Sequence, residues 1–321
     1  MGIIKKFYIS ILTVILLVLT FGTVTFAWIS LSTVNNIEGL SLSATSGEEL
    51  QISLDGVEFT NNLTNEQLES LFSNITLNEI TSIDGKIFSA GGSRKSNDIN
   101  DERDYLQFDI WFRTTEDVHQ VYVINNQSDE VAFDTSSTGT YIVSRGVNWR
   151  SDRTFTYGSN GEIVEVGDEA IYYASDAVRL SFVELQDDLN VLDQREEDDL
   201  ISWIFDPSGD AERGYGTSYG AYSYFTEKTR NYILLPTTVQ PVKYDLTIPD
   251  PRNPYQALDN ESMVAVLQDT GLVTEDELPI YQGKIRITLW VEGWDADAFD
   301  AIDGDRLKIQ LQFKLLNPVE A

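Results

Sequence analysis

The chain has no cysteine, and its 321 residues include a single histidine, His119. Without cysteine there is no disulfide, no thiolate nucleophile and no thiolate metal site. With one histidine, a Ser-His-Asp triad or a two-histidine zinc site must use His119 or not exist. His119 follows Asp117 in a strand-like run with no nucleophile motif around it, so it reads as a structural or surface residue. Cations are scarce too: 22 Lys and Arg stand against 52 Asp and Glu, a net charge of −30. That balance excludes a nucleic-acid partner, which demands a basic surface. It equally excludes electrostatic attraction to anionic lipid. No glycine-rich phosphate loop occurs, because Gly209–Gly216 lacks the lysine and the strand-to-helix setting. Acidic pairs are so common that a glycosidase-like pair would arise by chance. No catalytic residue is therefore assigned, and the chain is not expected to be an enzyme.

The one long uncharged run is N-terminal. Phe7 to Ile29 follows Lys5 and Lys6 and is long enough to cross a bilayer core as a helix. The two lysines keep the N-terminus cytoplasmic, so the remainder faces outward. Residues 1–29 are read as a signal peptide or membrane anchor, with a cut between Ala27 and Trp28 as the processing site. Residues 30–321 are read as one extracytoplasmic domain, secreted or anchored at the cell surface, touching the membrane only through residues 7–29. Removing residues 1–27 takes the net charge to −32, because that piece carries two lysines and no acid. A disordered chain is excluded by 42% hydrophobic and 11% aromatic content, which is ample for a core.

The dominant period is two. Leu40–Ser43, Leu50–Asp55, Val118–Ile124, Gly139–Ser144, Ala170–Ala174 and Val178–Val183 read as strands. In Tyr105–Phe112 (YLQFDIWF), Leu106, Phe108, Ile110 and Phe112 share one face. Ile285–Val291 and Leu307–Leu315 alternate cleanly and are expected to pair antiparallel across the loop between them, each with one wet face. Thr64 and Gln67 form a capping box for a helix over 65–73. Further helices are expected over Ser262–Asp269 and Asp187–Leu200. The pattern predicts an all-β antiparallel sandwich with a few short peripheral helices and insertions at Gly209–Phe225 and Pro249–Pro254.

Two segments carry candidate sites. Asp295, Asp297, Asp300, Asp303 and Asp305 crowd one loop, and carboxylate-rich loops bind calcium. The spacing departs from an EF-hand at Phe299 and lacks the closing glutamate, so a solvated loop is the competing reading. The tyrosines of Gly214–Phe225 make either a stacking platform for sugar or protein, or a packed loop over the sandwich. Asn62, Asn74, Asn126 and Asn260 head glycosylation sequons at a frequency that chance explains.

The junction Thr25-Phe26-Ala27-Trp28-Ile29-Ser30 resembles that of the TasA and camelysin group of exported biofilm-fibre proteins, where a long apolar leader ends in a T-x-A-aromatic-x-S/N motif. Gly39–Ala44 (GLSLSA) and Asp305–Phe313 (DRLKIQLQF) are similar to the group's first and closing strands. The resemblance is confined to the two ends. It implies a jelly-roll-like sandwich, a dedicated signal peptidase as partner, and self-assembly in which an N-terminal segment completes a neighbour's sheet. The resulting expectation is a structural subunit of the cell surface or matrix, acting by assembly or adhesion. A free segment such as Leu31–Ala44 would supply the added strand. The alternative is a calcium- or carbohydrate-binding adhesin.

Overall fold

The computed structural model describes residues 33–34, 36–45, 50–73, 75–92, 98–100, 103–125, 131–135 and 137–319. The apolar leader, Ala27 and Trp28, and the sequons at Asn74 and Asn126 lie outside the described residues. Among the described residues, no helix is long and apolar enough to cross a membrane.

In chain order the principal strands are β1 (Asn36–Ala44), β2 (Leu77–Thr81), β3 (Leu106–Thr114), β4 (Gln120–Val123), β5 (Tyr141–Ser144), β6 (Val178–Leu185), β7 (Ser202–Phe205), β8 (Met263–Val266), β9 (Gln268–Val273), β10 (Pro279–Glu292) and β11 (Arg306–Leu315). The described α-helices are α1 (Asn65–Phe72) and α2 (Ala221–Thr229). The fold is all-β in character, with two sheets closing on a shared core. In the first sheet, β10 is central: β3 pairs along residues 281–289, β6 pairs along 284–291, and β2 joins its last two residues in parallel. In the second, β11 is central, with β1 parallel on one edge and β5 and β4 antiparallel on the other.

Alternation decides which side chains meet. Leu307, Ile309, Leu311, Phe313 and Leu315 of β11 are buried, and they share a core with Phe108, Ile110 and Phe112 of β3 and Ile285, Ile287 and Leu289 of β10. Phe112 and Phe313 meet edge to face across the gap, with ring centroids 5.0 Å apart. The outward face of β10 begins polar, and Arg286 forks onto Asp109 of β3 at 2.7 and 3.1 Å. It ends at Trp290 and Glu292, which point outward yet have no exposed surface. Trp290 clusters with Ile80, Tyr105 and Ile204, and Phe88, Ile99 and Val242 pack against that cluster, so this end of the sheet is wrapped on both faces.

Three expectations are corrected here. The strands β10 and β11 do not pair with each other; they lie in different sheets, and the aspartate loop crosses between them. Alternation specifies a face and leaves the neighbour open, and both edges of each strand are already taken. Ser262–Asp269 forms no helix: Met263, Ala265 and Val266 pair with Tyr122, Val121 and Gln120 of β4, because β-branched valines fit a pleated edge better than a helix surface. Asp187–Leu200 forms turns and a single 3-10 turn at Glu197–Asp199. There Asp187 and Asn190 accept the amides of Leu189 and Leu192 at 3.0 Å, an alternative to helical bonding that short polar side chains favour. The helix expected at 65–73 is present as α1, with the Thr64–Gln67 capping box formed.

The segment expected to be free, Leu31–Ala44, is instead paired within the chain at both of the strands described in it. Asn36–Ala44 is β1, paired along β11 from Asn36 opposite Arg306 to Ala44 opposite Phe313. Thr33 and Val34 pair with Asn78 and Leu77 of β2.

Because Phe313 bridges the sheets, Phe313→Ala is expected to lower the unfolding free energy by about 3–5 kcal/mol. Val319→Ala, at a position 39% exposed, is expected to stay within about 0.5 kcal/mol. Urea unfolding followed by tryptophan fluorescence measures both.

Candidate functional site

The sequence singles out the aspartate loop, and the fold gives four of its carboxylates, those of Asp295, Asp297, Asp300 and Asp305, separate partners. Asp295 is buried and its Oδ2 lies 2.5 Å from Nη2 of Arg179 on β6. The same Nη2 is 2.8 Å from Asp206, just after β7. Asp297 takes Arg213 in a fork, at 2.8 Å from Nε and 2.6 Å from Nη2. Asp300 touches Lys228 of α2 and lies 3.1 Å from the Tyr224 hydroxyl. Asp305 accepts the backbone amides of Gly146, Ala174 and Arg306 at 2.9, 2.8 and 2.7 Å. Asp303 is exposed at the loop's tip. The carboxylates thus fan outward to distant elements instead of converging. Among the described residues, no group of three or more acidic or histidine side chains is arranged to hold a metal ion.

The centre around Arg179 has more acid than base. Arg179, Asp206 and Glu292 have no exposed surface, and Asp295 has 1%. Glu292 accepts Gln240 Nε2 at 2.8 Å and Trp290 Nε1 at 3.1 Å. Burial pushes the carboxyls of Asp206, Glu292 and Asp295 above their ordinary range, with the Arg179 guanidinium opposing the shift in each. Asp176 sits nearby, and burial, with Asp297 adding to it, takes its carboxyl from the ordinary 3.8 up to about 6.

The tyrosine segment is packed. Tyr224 is 1% exposed, and its ring lies 5.3 Å from both Phe155 and Phe299 and 5.6 Å from Trp149, centroid to centroid. Tyr215, Tyr219 and Tyr222 are half-buried. Part of this stretch is α2, which starts after Gly220. The positive φ of 60° there, and the Ala296 carbonyl 2.2 Å from where a Cβ would stand, both require glycine. His119 stacks on Tyr281 with centroids 3.8 Å apart, and its Nε2 is buried without a hydrogen bond.

Arg179, Arg213 and Lys228 are the residues that sequence reading missed. One signal was available: Arg179 interrupts an apolar strand (VRLSFV), and a cation there must be paired. No protein-family model, curated protein or solved structure matches the chain.

Two outcomes follow. Arg179→Met strands the buried acids, and is expected to cost about 3–5 kcal/mol at pH 7. Part of that loss returns at pH 5 as the acids protonate, readable in chemical denaturation at the two pH values. For Asp176, the folded state keeps a proton up to about pH 6 that the unfolded state releases near 3.8. Stability therefore falls as pH rises through that window. Asp176→Asn is expected to raise the melting temperature at pH 7 and to leave it unchanged at pH 4, measured by calorimetry.

Proposed function

We propose that this chain is a non-enzymatic exported subunit of the cell surface or extracellular matrix, assembling by strand exchange on a jelly-roll-like sandwich. The observation that carries the reading is the position of β1. It is the first long strand, and it lies parallel to the last, β11, along most of its length. Among the described residues its other edge is strand-paired at Leu42 and Ser43, with Leu63 and Asn62, and the Leu40 amide donates to Asn65 Oδ1 at 3.0 Å. A strand next to a chain terminus and held mainly by one neighbour can be supplied by a second copy in the same register, since the backbone bonds are identical. Its withdrawal would bare the edge of β11, and an exposed edge recruits another strand.

Supporting features lie at the N-terminus. The apolar segment 7–29 behind Lys5 and Lys6 fits export, with the cut at Ala27–Trp28 made by a signal peptidase. The resemblance of this junction, and of the segments forming β1 and β11, to the TasA and camelysin group supports fibre formation over solitary adhesion. The acidic charge favours solubility outside the cell. The alternative reading, a calcium- or carbohydrate-binding adhesin, requires Asp295, Asp297 or Asp300 to exchange Arg179, Arg213 or Lys228 for a metal ion.

The test uses the chain beginning at Trp28. Light scattering and electron microscopy are expected to reveal concentration-dependent oligomers or fibres, and removal of residues 28–44 is expected to abolish them. A mature protein that stays strictly monomeric across salt and calcium conditions overturns the assembly reading. A calcium-dependent heat and rise in melting temperature would favour the adhesin instead.

A further inference from the structure

Lys228 and Asp300 form a contact unlike the other lysine–carboxylate pairs. The acids facing Lys86 and Lys243 are largely solvent-exposed, and Asp109, beside Lys284, is already forked by Arg286. The Lys228 and Asp300 side chains are 16% and 15% exposed, with Nζ directly on Oδ2. They lie beside the aromatic cluster of Trp149, Phe155, Tyr172, Tyr224 and Phe299. Lys228 Nζ sits 5.4 Å from the centroid of the Tyr224 ring. The two oxygens of Asp300 differ. Oδ2 meets Nζ and lies 3.1 Å from the Tyr224 hydroxyl, whereas Oδ1 is buried with no hydrogen-bond partner. Asp152 Oδ1 also lies 3.2 Å from the Tyr224 hydroxyl, whose single proton goes to one of the two acids at a time.

We propose that Lys228 and Asp300 condense into an intramolecular isopeptide bond that ties α2 to the turn ahead of β11. Within the pair, one proton passes from the ammonium to the carboxylate, giving a neutral amine and a neutral acid. Burial holds the Asp300 carboxyl above its ordinary range. The Nζ lone pair then forms a bond to Cγ, and the electron pair of the Cγ=Oδ1 carbonyl moves onto Oδ1. Oδ2, which carries the proton received from Nζ and accepts a hydrogen bond from the Tyr224 hydroxyl, departs as water, taking a second proton from Nζ. Its bond to Cγ breaks as the Cγ=Oδ1 carbonyl re-forms. One C–N bond is made, one C–O bond is broken and one water is released; nothing is oxidised or reduced and no co-reactant is needed.

Two physical conditions make the condensation favourable. The reacting groups are held in contact, which converts a bimolecular step into an intramolecular one of high effective concentration. The aromatic wall limits the water available to reverse it. The link would close a loop between positions 72 apart in sequence, in a chain with no disulfide.

Intact-mass spectrometry of the purified, denatured mature protein decides the matter. The expected mass is lower than that of the sequence by one water, and proteolysis is expected to release a branched peptide joining the segments that contain Lys228 and Asp300. Lys228→Arg, which keeps the charge, and Asp300→Ala are each expected to restore the sequence mass. A parent protein at its full sequence mass, with the two segments released separately, overturns the proposal. So does a water loss that persists in Lys228→Arg. The readout is independent of oligomeric state, so failure of the assembly reading leaves it intact.

Discussion

Everything at one end of this domain depends on a cation buried beneath the crossing loop. Arg179 points out of β6 into a space closed by the Asp206 turn, the start of the aspartate loop and the cover over Trp290. A guanidinium placed there without acids would be prohibitively costly, and the acids without it equally so. Each therefore fixes the other's position, and the elements that carry them must arrive together. The crossing from β10 to β11 is directed by that demand: Asp295 is the loop's first anchor, Asp297 and Asp300 its second and third, and Asp305 its last before the strand resumes.

The balance at this centre is unequal by design of the sequence. Three carboxyls surround one guanidinium; burial holds all three above their ordinary range, and Gln240 and Trp290 donate hydrogen bonds to Glu292. Such a centre ties stability to acidity in a chain whose overall charge is already strongly negative. The two effects act in the same direction, since lowering the pH relieves both.

How much of this was legible in the sequence follows from the range of each interaction. Faces were readable: Leu106, Phe108, Ile110 and Phe112 turn inward as alternation requires, and so do the odd-numbered residues of β11. The α1 helix was readable because Thr64 and Gln67 are three residues apart. Partnerships were not. Period two says nothing about which strand lies alongside, so β10 and β11 were matched to each other instead of to β3, β6, β1 and β5. The aspartates stood out as a local cluster, but their partners lie 116, 84 and 72 positions away at Arg179, Arg213 and Lys228. A local reading therefore sees a metal-like concentration of charge where the fold distributes it one acid at a time. The helix α2 was hidden because glycine caps it and aromatic residues fill it, and neither gives a strong local signal.

The parallel alignment of β1 with β11 has a mechanical consequence. Asn36 lies beside Arg306 at one end of the pair, and Ala44 lies beside Phe313 at the other. The chain enters β1 at the first end and leaves β11 at the second. Tension applied between the N-terminal side and the C-terminal side of the domain therefore pulls the two strands along their own axes in opposite directions. Every backbone hydrogen bond between them is loaded at once, in shear, and none can be peeled open ahead of the rest. The same pair in antiparallel order would unzip one bond at a time. A force pulling the two ends of this domain apart therefore meets the β1–β11 pair along its shear direction.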